Sequence, residues 1–220
     1  MVPVRRRIVT EEAGVRAGQE LAMMGQTKNA VVVVGSIVAL FAVIIAYVVL
    51  NPTIVSPPPS GAGIGVGQFA PEFTIADVNG TVWSVRAHRG EVVLLDFMGT
   101  NCITCAQEMR AGSMQTVYER RAAEGFAVLS IDVGASYGGL GTDDPAAAWR
   151  FLRGIAPEGG GWSPGTWPIA LDRQAIIVTY RVGALPIKYL LDRTGKIVWK
   201  HTGFVTAEDL DAQVVAALRG

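Results

Sequence analysis

Cys102 and Cys105 are the only cysteines in the chain, and Ile103 and Thr104 are all that separates them. A single helical turn across that gap brings two sulfurs within disulfide reach, so the pair bonds to itself or to something outside the chain. The motif lies in Gly99-Thr100-Asn101-Cys102-Ile103-Thr104-Cys105-Ala106-Gln107-Glu108, directly after Val92-Val93-Leu94-Leu95-Asp96-Phe97. A buried-type strand therefore delivers both thiols to the first turn of a helix. Free N–H groups and the positive end of the helix dipole stabilise a thiolate there, lowering a cysteine pKa from about 8.5 toward about 7 or below. Cys102, nearest that end, is the candidate nucleophile. Two other chemistries compete with redox exchange. Structural zinc needs four ligands, and the two histidines, His88 and His201, lie far away in sequence. A purely structural bridge is a poor fit too, because closing so short a loop removes little entropy from the unfolded chain.

The elements that must position this pair follow from patterning. Phe73 to Val78 and Thr81 to Val85 flank Asn79-Gly80, which predicts a hairpin with a two-residue turn. Glu91 to Phe97 is apolar enough for a central strand covered on both faces. The cysteine helix is expected to run on through Met109, Met114 and Val117 and to end before Gly125. Phe126 to Val133 reads as a strand, and Asp144-Pro145 opens a helix through Arg153. Gly154 to Pro168, with Trp162 and Trp167, is a long loop that serves as an adaptable surface or as a substrate-facing flap. Strands at Ile169 to Leu171, Ile187 to Leu191 and Lys196 to Lys200 follow, with helices at Gln174 to Tyr180 and Thr206 to Leu218. This order implies an α/β fold, a mixed central sheet with helices on both faces.

The balanced formal charge of the 220 residues argues against nucleic acid as a partner. Residues 30–50 carry no charge, and as a helix they would span about 31 Å, matching a hydrocarbon core of about 30 Å. They lack the polar face of a core helix and exceed a signal peptide's apolar region. A transmembrane helix in contact with the lipid bilayer is the expectation. Residues 1–29 then form a cytoplasmic tail, since Arg5, Arg6, Arg7, Arg16 and Lys28 precede the span and no charged residue occurs from Asn29 to Pro71. Residues 51–67 are a Pro/Gly-rich linker and residues 68–220 the folded domain. The chain is expected in the plasma membrane as a single-pass protein with its C-terminal domain extracytoplasmic, where disulfides persist.

From Gln68 to Gly220 the chain resembles the thioredoxin superfamily, and within it the membrane-anchored TlpA/ResA-type thiol-disulfide oxidoreductases. The residues that carry the resemblance are Phe69-Ala70-Pro71-Glu72-Phe73, Gly90, the strand-to-cysteine junction, Tyr180-Arg181-Val182, and Leu185-Pro186 entering Ile187 to Ile197. The resemblance implies a thioredoxin-like fold with an N-terminal β-hairpin extension. It further implies that Pro186 is cis, packs against the cysteine pair and leaves the backbone of Leu185 to a substrate strand; a trans proline opening a strand is the alternative. Asp96 matches the buried acid of thioredoxin itself. On so apolar a strand a carboxylate is costly to ionise, which suits it to accept the proton of Cys105. Glu108 matches the active-site glutamate of ResA-type proteins and shares a helical face with Cys105; a solvated helix glutamate is the alternative. Asn101 stands where relatives carry tryptophan, and it is expected to cap the helix and border the substrate surface.

These readings converge on a dithiol/disulfide exchange enzyme needing no metal and no organic cofactor. Its partners would be protein disulfide or dithiol substrates and a membrane or extracytoplasmic electron donor. Reduction of disulfides is the preferred direction, because the histidine-bearing dipeptide of strong oxidants is absent between the cysteines. The alternative from another class is a thioredoxin-fold copper metallochaperone, in which two thiolates and a histidine hold a soft metal. The Pro-x-x-x-Thr-x-x-Cys signature of peroxide-reducing relatives is absent.

Overall fold

The computed structural model describes residues 33–43, 45–47, 61–155 and 161–220. The chain divides into two units, Met1–Pro57 and Pro58–Gly220. In the first, residues 33–43 and 45–47 are helical with exposed side chains. The tail expected at 1–29, the ends of the expected span and the prolines of the linker lie outside the described residues. Among the described residues no helix is long and apolar enough to cross a membrane.

The second unit is built on a five-stranded mixed sheet. Its strands are β3 (Val92–Met98), β4 (Phe126–Asp132), β5 (Ile169–Leu171), β6 (Ile187–Leu191) and β7 (Ile197–Thr202), in the order β5-β4-β3-β6-β7. β3 runs parallel to β4 and antiparallel to β6. All seven residues of β3 are buried, as expected of a central strand between two helical layers. Alternation sends Val92, Leu94 and Met98 into one apolar cluster and Val93, Leu95 and Phe97 into the other. Asp96 takes the parity of Leu94 and so faces the cluster that contains Cys102 and Cys105.

That cluster is roofed by α1 (Ile103–Ala111), α2 (Ser113–Arg121), α3 (Pro145–Leu152) and α5 (Ala207–Arg219). The opposite cluster is closed by α4 (Ile176–Thr179) and by the hairpin β1 (Thr74–Ala76) and β2 (Val82–Ser84). Asp144 caps α3 by accepting from the Ala146 N–H, and Thr206 caps α5 by accepting from Asp209.

Four local expectations are corrected. The single helix expected from the cysteines to Gly125 is two, because Gly112 takes the left-handed region (φ 67°) and closes α1 before α2 restarts. The hairpin turn has three residues, Val78, Asn79 and Gly80, since Asp77 and Thr81 still pair and Asp77 Oδ1 accepts from both Asn79 and Thr81 N–H. The helix expected at Gln174 to Tyr180 shrinks to Ile176–Thr179. Trp162 and Trp167 belong to the core, their indole N–H groups donating to Phe151 O and Ser130 Oγ. The glycine segment before Gln68 is also tied down, with Gly67 N–H donating to Ile197 O and Gly63 N–H to Phe69 O.

Candidate active site

Cys102 and Cys105 form a disulfide at the N-terminus of α1. Cys102 itself is the N-cap residue, with extended backbone angles and its Sγ 3.2 Å from the Cys105 N–H that points at it. This corrects the expectation for Asn101. The asparagine amide instead donates to Gly139 O and Gly141 O, and its backbone N–H donates to Leu140 O. Both cysteines are buried, Cys102 at 6% exposed and Cys105 at 2%. Between them Ile103 projects outward, 76% exposed.

The turn carrying the cysteines is clamped from beneath by Asp132, a fully buried residue at the end of β4 that the sequence reading did not single out. Its Oδ2 accepts from the Thr100 N–H, and its Oδ1 from the N–H groups of Gly134 and Thr142. The loop from Gly134 to Thr142 is thereby held against the turn at Gly99 to Asn101. A Cβ on Gly99 would meet Leu140 O at 2.2 Å, so only glycine permits the approach. Burial pushes the Asp132 carboxyl above the ordinary aspartate range, against the pull of the three N–H donors.

Beneath Cys105 the sheet presents a row of polar side chains where apolar ones would be expected. Asp96 on β3 is in register with Ser130 on β4 and with Lys188 on β6, so all three point to the same face. Ser130 Oγ donates to Asp96 Oδ2 at 3.0 Å and accepts from the Trp167 indole. Lys188 Nζ lies 3.1 Å from Asp96 Oδ1, an ionic contact without hydrogen-bond alignment. From above, Glu108 descends one turn after Cys105; its Oε2 accepts from Lys188 Nζ at 2.6 Å and its Oε1 from the Val205 N–H at 2.9 Å. Asp96, Glu108 and Lys188 are all buried. The solvated-helix reading of Glu108 is thus overturned. Asp96 is buried as expected, and it has a partner that the apolar strand alone does not reveal, because Lys188 arrives from a strand distant in sequence. Burial raises the Glu108 carboxyl above its ordinary range; Lys188 opposes this and the second carboxylate reinforces it. Burial would lower the Lys188 ammonium, but the two carboxylates together outweigh it and hold it above the usual lysine value.

Asp96, Cys105, Glu108 and Ser130 line one cavity of about 10 Å³, room for roughly one water. The structure therefore brings together Cys102, Cys105, Asp96 and Glu108, and adds Lys188, Ser130 and Asp132 to the residues expected. The Leu185–Pro186 peptide is cis. Pro186 directly precedes β6, whose Ile187 pairs with Phe97, and Leu185 packs on the cluster that holds both cysteines. A cysteine pair at a helix N-terminus, its second member sharing a cavity with buried acids, is suited to thiol–disulfide exchange.

Comparison with known proteins agrees with this chemistry. Residues 66–200 match the AhpC/TSA family. The chain is 32% identical over 148 residues to the thiol-disulfide oxidoreductase ResA of Geobacillus thermodenitrificans, covering 67% of this chain and 75% of that protein. To the ResA of Geobacillus kaustophilus it is 30% identical over 149 residues, with 67% and 75% covered. Among solved structures, a provisionally assigned thiol:disulfide interchange protein DsbE from Chlorobium tepidum superimposes with a TM-score of 0.57 at 28% identity, covering 71% of this chain and 99% of that one. With the family matched over most of the folded unit and the disulfide at the head of α1, the chain belongs to the thioredoxin-like AhpC/TSA family and is a thiol-disulfide oxidoreductase.

Proposed function

We propose that the chain is a membrane-tethered, extracytoplasmic oxidoreductase that reduces disulfides in protein substrates and is itself re-reduced by a membrane or extracytoplasmic donor. The observation that carries the assignment of roles is the asymmetry of the pair: Cys102 caps the helix, whereas Cys105 shares a buried cavity with Asp96 and Glu108. Cys102 attacks a substrate disulfide as the thiolate, aided by the Cys105 N–H and the helix end. One substrate sulfur leaves as a thiolate and takes a proton. Cys105 then passes its proton to the carboxylates, attacks Cys102, and expels the second substrate sulfur. Each turnover oxidises the dithiol to the Cys102–Cys105 bridge and reduces one substrate disulfide. Leu185, Pro186 and Asn101 border the substrate surface, where Leu185 packs on the cluster that holds both cysteines and Asn101 fixes the Gly139 to Gly141 rim.

Cys105→Ser is expected to trap mixed disulfides with insulin or with cell-envelope proteins, and Cys102→Ser to trap none. More rapid alkylation of Cys105 than of Cys102 at neutral pH would reverse the roles. The copper-delivery alternative gains no observation of its own. His201 Nε2 is engaged with Phe204 O, and its ring stacks on Trp199. Copper titration of the reduced protein beside insulin reduction separates the two functions.

A further inference from the structure

Lys188 is the one fully buried lysine among the described residues, and nothing in the apolar strand Ile187–Leu191 asks for it. Its ammonium touches both carboxylates under Cys105, at 2.6 Å and 3.1 Å. A fully buried ion is costly unless compensated, and here the compensation is lopsided: two acids face one base. A site of this kind is least costly when its net charge is zero. With Lys188 present, neutrality means one carboxylate ionised and the other protonated. With Lys188 absent, neutrality means both protonated, and no base remains beside Cys105.

Resting on the exchange chemistry proposed above, we propose that Lys188 is a positioning residue for the resolving step, keeping one of the carboxylates of Asp96 and Glu108 ionised in a closed site. The geometry permits the proton to move locally. Glu108 has both oxygens occupied, by Lys188 and the Val205 N–H, whereas Asp96 Oδ1 has no aligned donor and lines the same cavity as Cys105. When the Cys105 thiol gives its proton to the ionised carboxylate, directly or across one water, the negative charge moves to sulfur and the cavity's net charge is unchanged. Lys188 balances it in both states. The thiolate then forms the Cys102–Cys105 bond, the bond from Cys102 to the substrate sulfur breaks, and the electron pair leaves on the substrate thiolate. That thiolate is protonated as the carboxylate gives its proton up.

Other titratable groups near the site are accounted for. Glu108, Cys102 and Cys105 come from α1 and its cap, and Asp96 from β3. From β4 come neutral Ser130 and, at its end, Asp132, whose oxygens are taken by backbone donors. On β7, His201 pairs with Lys188 in register, and its ring is held by Phe204 O and Trp199.

The test is a single-turnover reaction of the reduced full chain with oxidised glutathione from pH 5 to 9, quenched in acid and read by mass spectrometry. In Lys188→Met the glutathione adduct on Cys102 forms at the wild-type rate but resolves at least about tenfold more slowly at pH 6, so it accumulates, and raising the pH by about one to two units restores resolution. A merely structural lysine would not produce an adduct that pH rescues. The same shift is expected in a His201→Gln background. No accumulation, or accumulation that pH does not relieve, overturns the proposal. Should Lys188→Met fail to fold, carbon-13 titration of the carboxyl groups in the reduced wild-type chain decides: one of Asp96 and Glu108 ionised at pH 7 supports it, and both protonated or both ionised overturns it. A wild-type chain that does not react with glutathione disulfide or insulin would instead remove the exchange reading itself.

Discussion

Glu108 shows how far a residue's role depends on what faces it. Three positions after Cys105 its side chain could point only along the cysteine face of the helix, but the sequence does not say whether that face meets water or the sheet. Buried against Asp96 and Lys188, its carboxyl is held above the ordinary range. The folded protein therefore binds its proton more tightly than the unfolded chain, whose value is about 4.3. Stability from this group is complete below that pH and is lost as pH rises through the folded value. Urea unfolding of the oxidised chain at pH 4, 6 and 8 should show stability falling with pH, and Glu108→Gln should flatten the slope. Asp132, shifted in the same direction by burial, keeps the slope of the variant from vanishing. An unchanged slope in Glu108→Gln would mean that the carboxyl titrates alike in both states. The cysteines were legible from the strand-to-helix junction, and Asp96, Glu108 and Pro186 from the family resemblance, which left the burial of Glu108 open. Lys188 was not, because only the β3–β6 register sets it beside Asp96; a lysine inside an apolar five-residue run was the one available signal.

At the level of elements, glycines decide where the chain bends: Gly112 closes the cysteine helix and Gly99 lies in the turn that carries the cysteines. Gly112 ends α1 in the left-handed region, where a Cβ costs roughly 1–2 kcal/mol. Gly112→Ala is therefore expected to destabilise the domain by about 1 kcal/mol with little effect on exchange rate, as measured by urea midpoint and insulin reduction. Gly99→Ala works differently. Its Cβ would press on Leu140 O, displacing the Gly134 to Thr142 loop that Asp132 and Asn101 hold in place. Faster hydrogen exchange at the Asn101 and Thr142 amides, together with slower insulin reduction, is the expected signature. Unchanged exchange at both amides would show that the loop is not coupled to the cysteine turn. Strand and helix order could be read from hydrophobic periodicity, and α3 from Asp144-Pro145. The break at Gly112 could not, since Met109, Met114 and Val117 continue one apolar pattern across it, and all three are buried. The tryptophans of the 154–168 loop were misjudged for a related reason: Trp167 is drawn inward by a hydrogen bond to Ser130, a partner visible only once β4 is in place.

At the scale of the whole molecule, the folded unit and the apolar segment pose separate problems. The folded unit starts earlier than composition suggests, because Gly61, Gly63 and Gly67 hydrogen-bond to Phe69 and Ile197 and glycines 63 and 65 make room for the Gln68 side chain. The tether proposed between anchor and domain is therefore shorter than residues 51–67 by the glycine segment. The direction of insertion proposed above rests on charge. Five basic residues precede the uncharged stretch within the first 28 positions, and basic flanks remain on the cytoplasmic side. On that proposed topology the Cys102–Cys105 pair would meet an oxidising milieu. Protease added to intact spheroplasts should therefore digest the Cys102 domain while leaving a fragment with the N-terminus protected, and extraction at alkaline pH should leave that fragment in the membrane. Reversing the charge bias, by replacing Arg5, Arg6, Arg7 and Lys28 with glutamine, should lower the fraction of domain that is accessible. Protection of the Cys102 domain until lysis would overturn the topology, and release of the fragment by alkali would overturn the anchor while leaving the exchange chemistry intact.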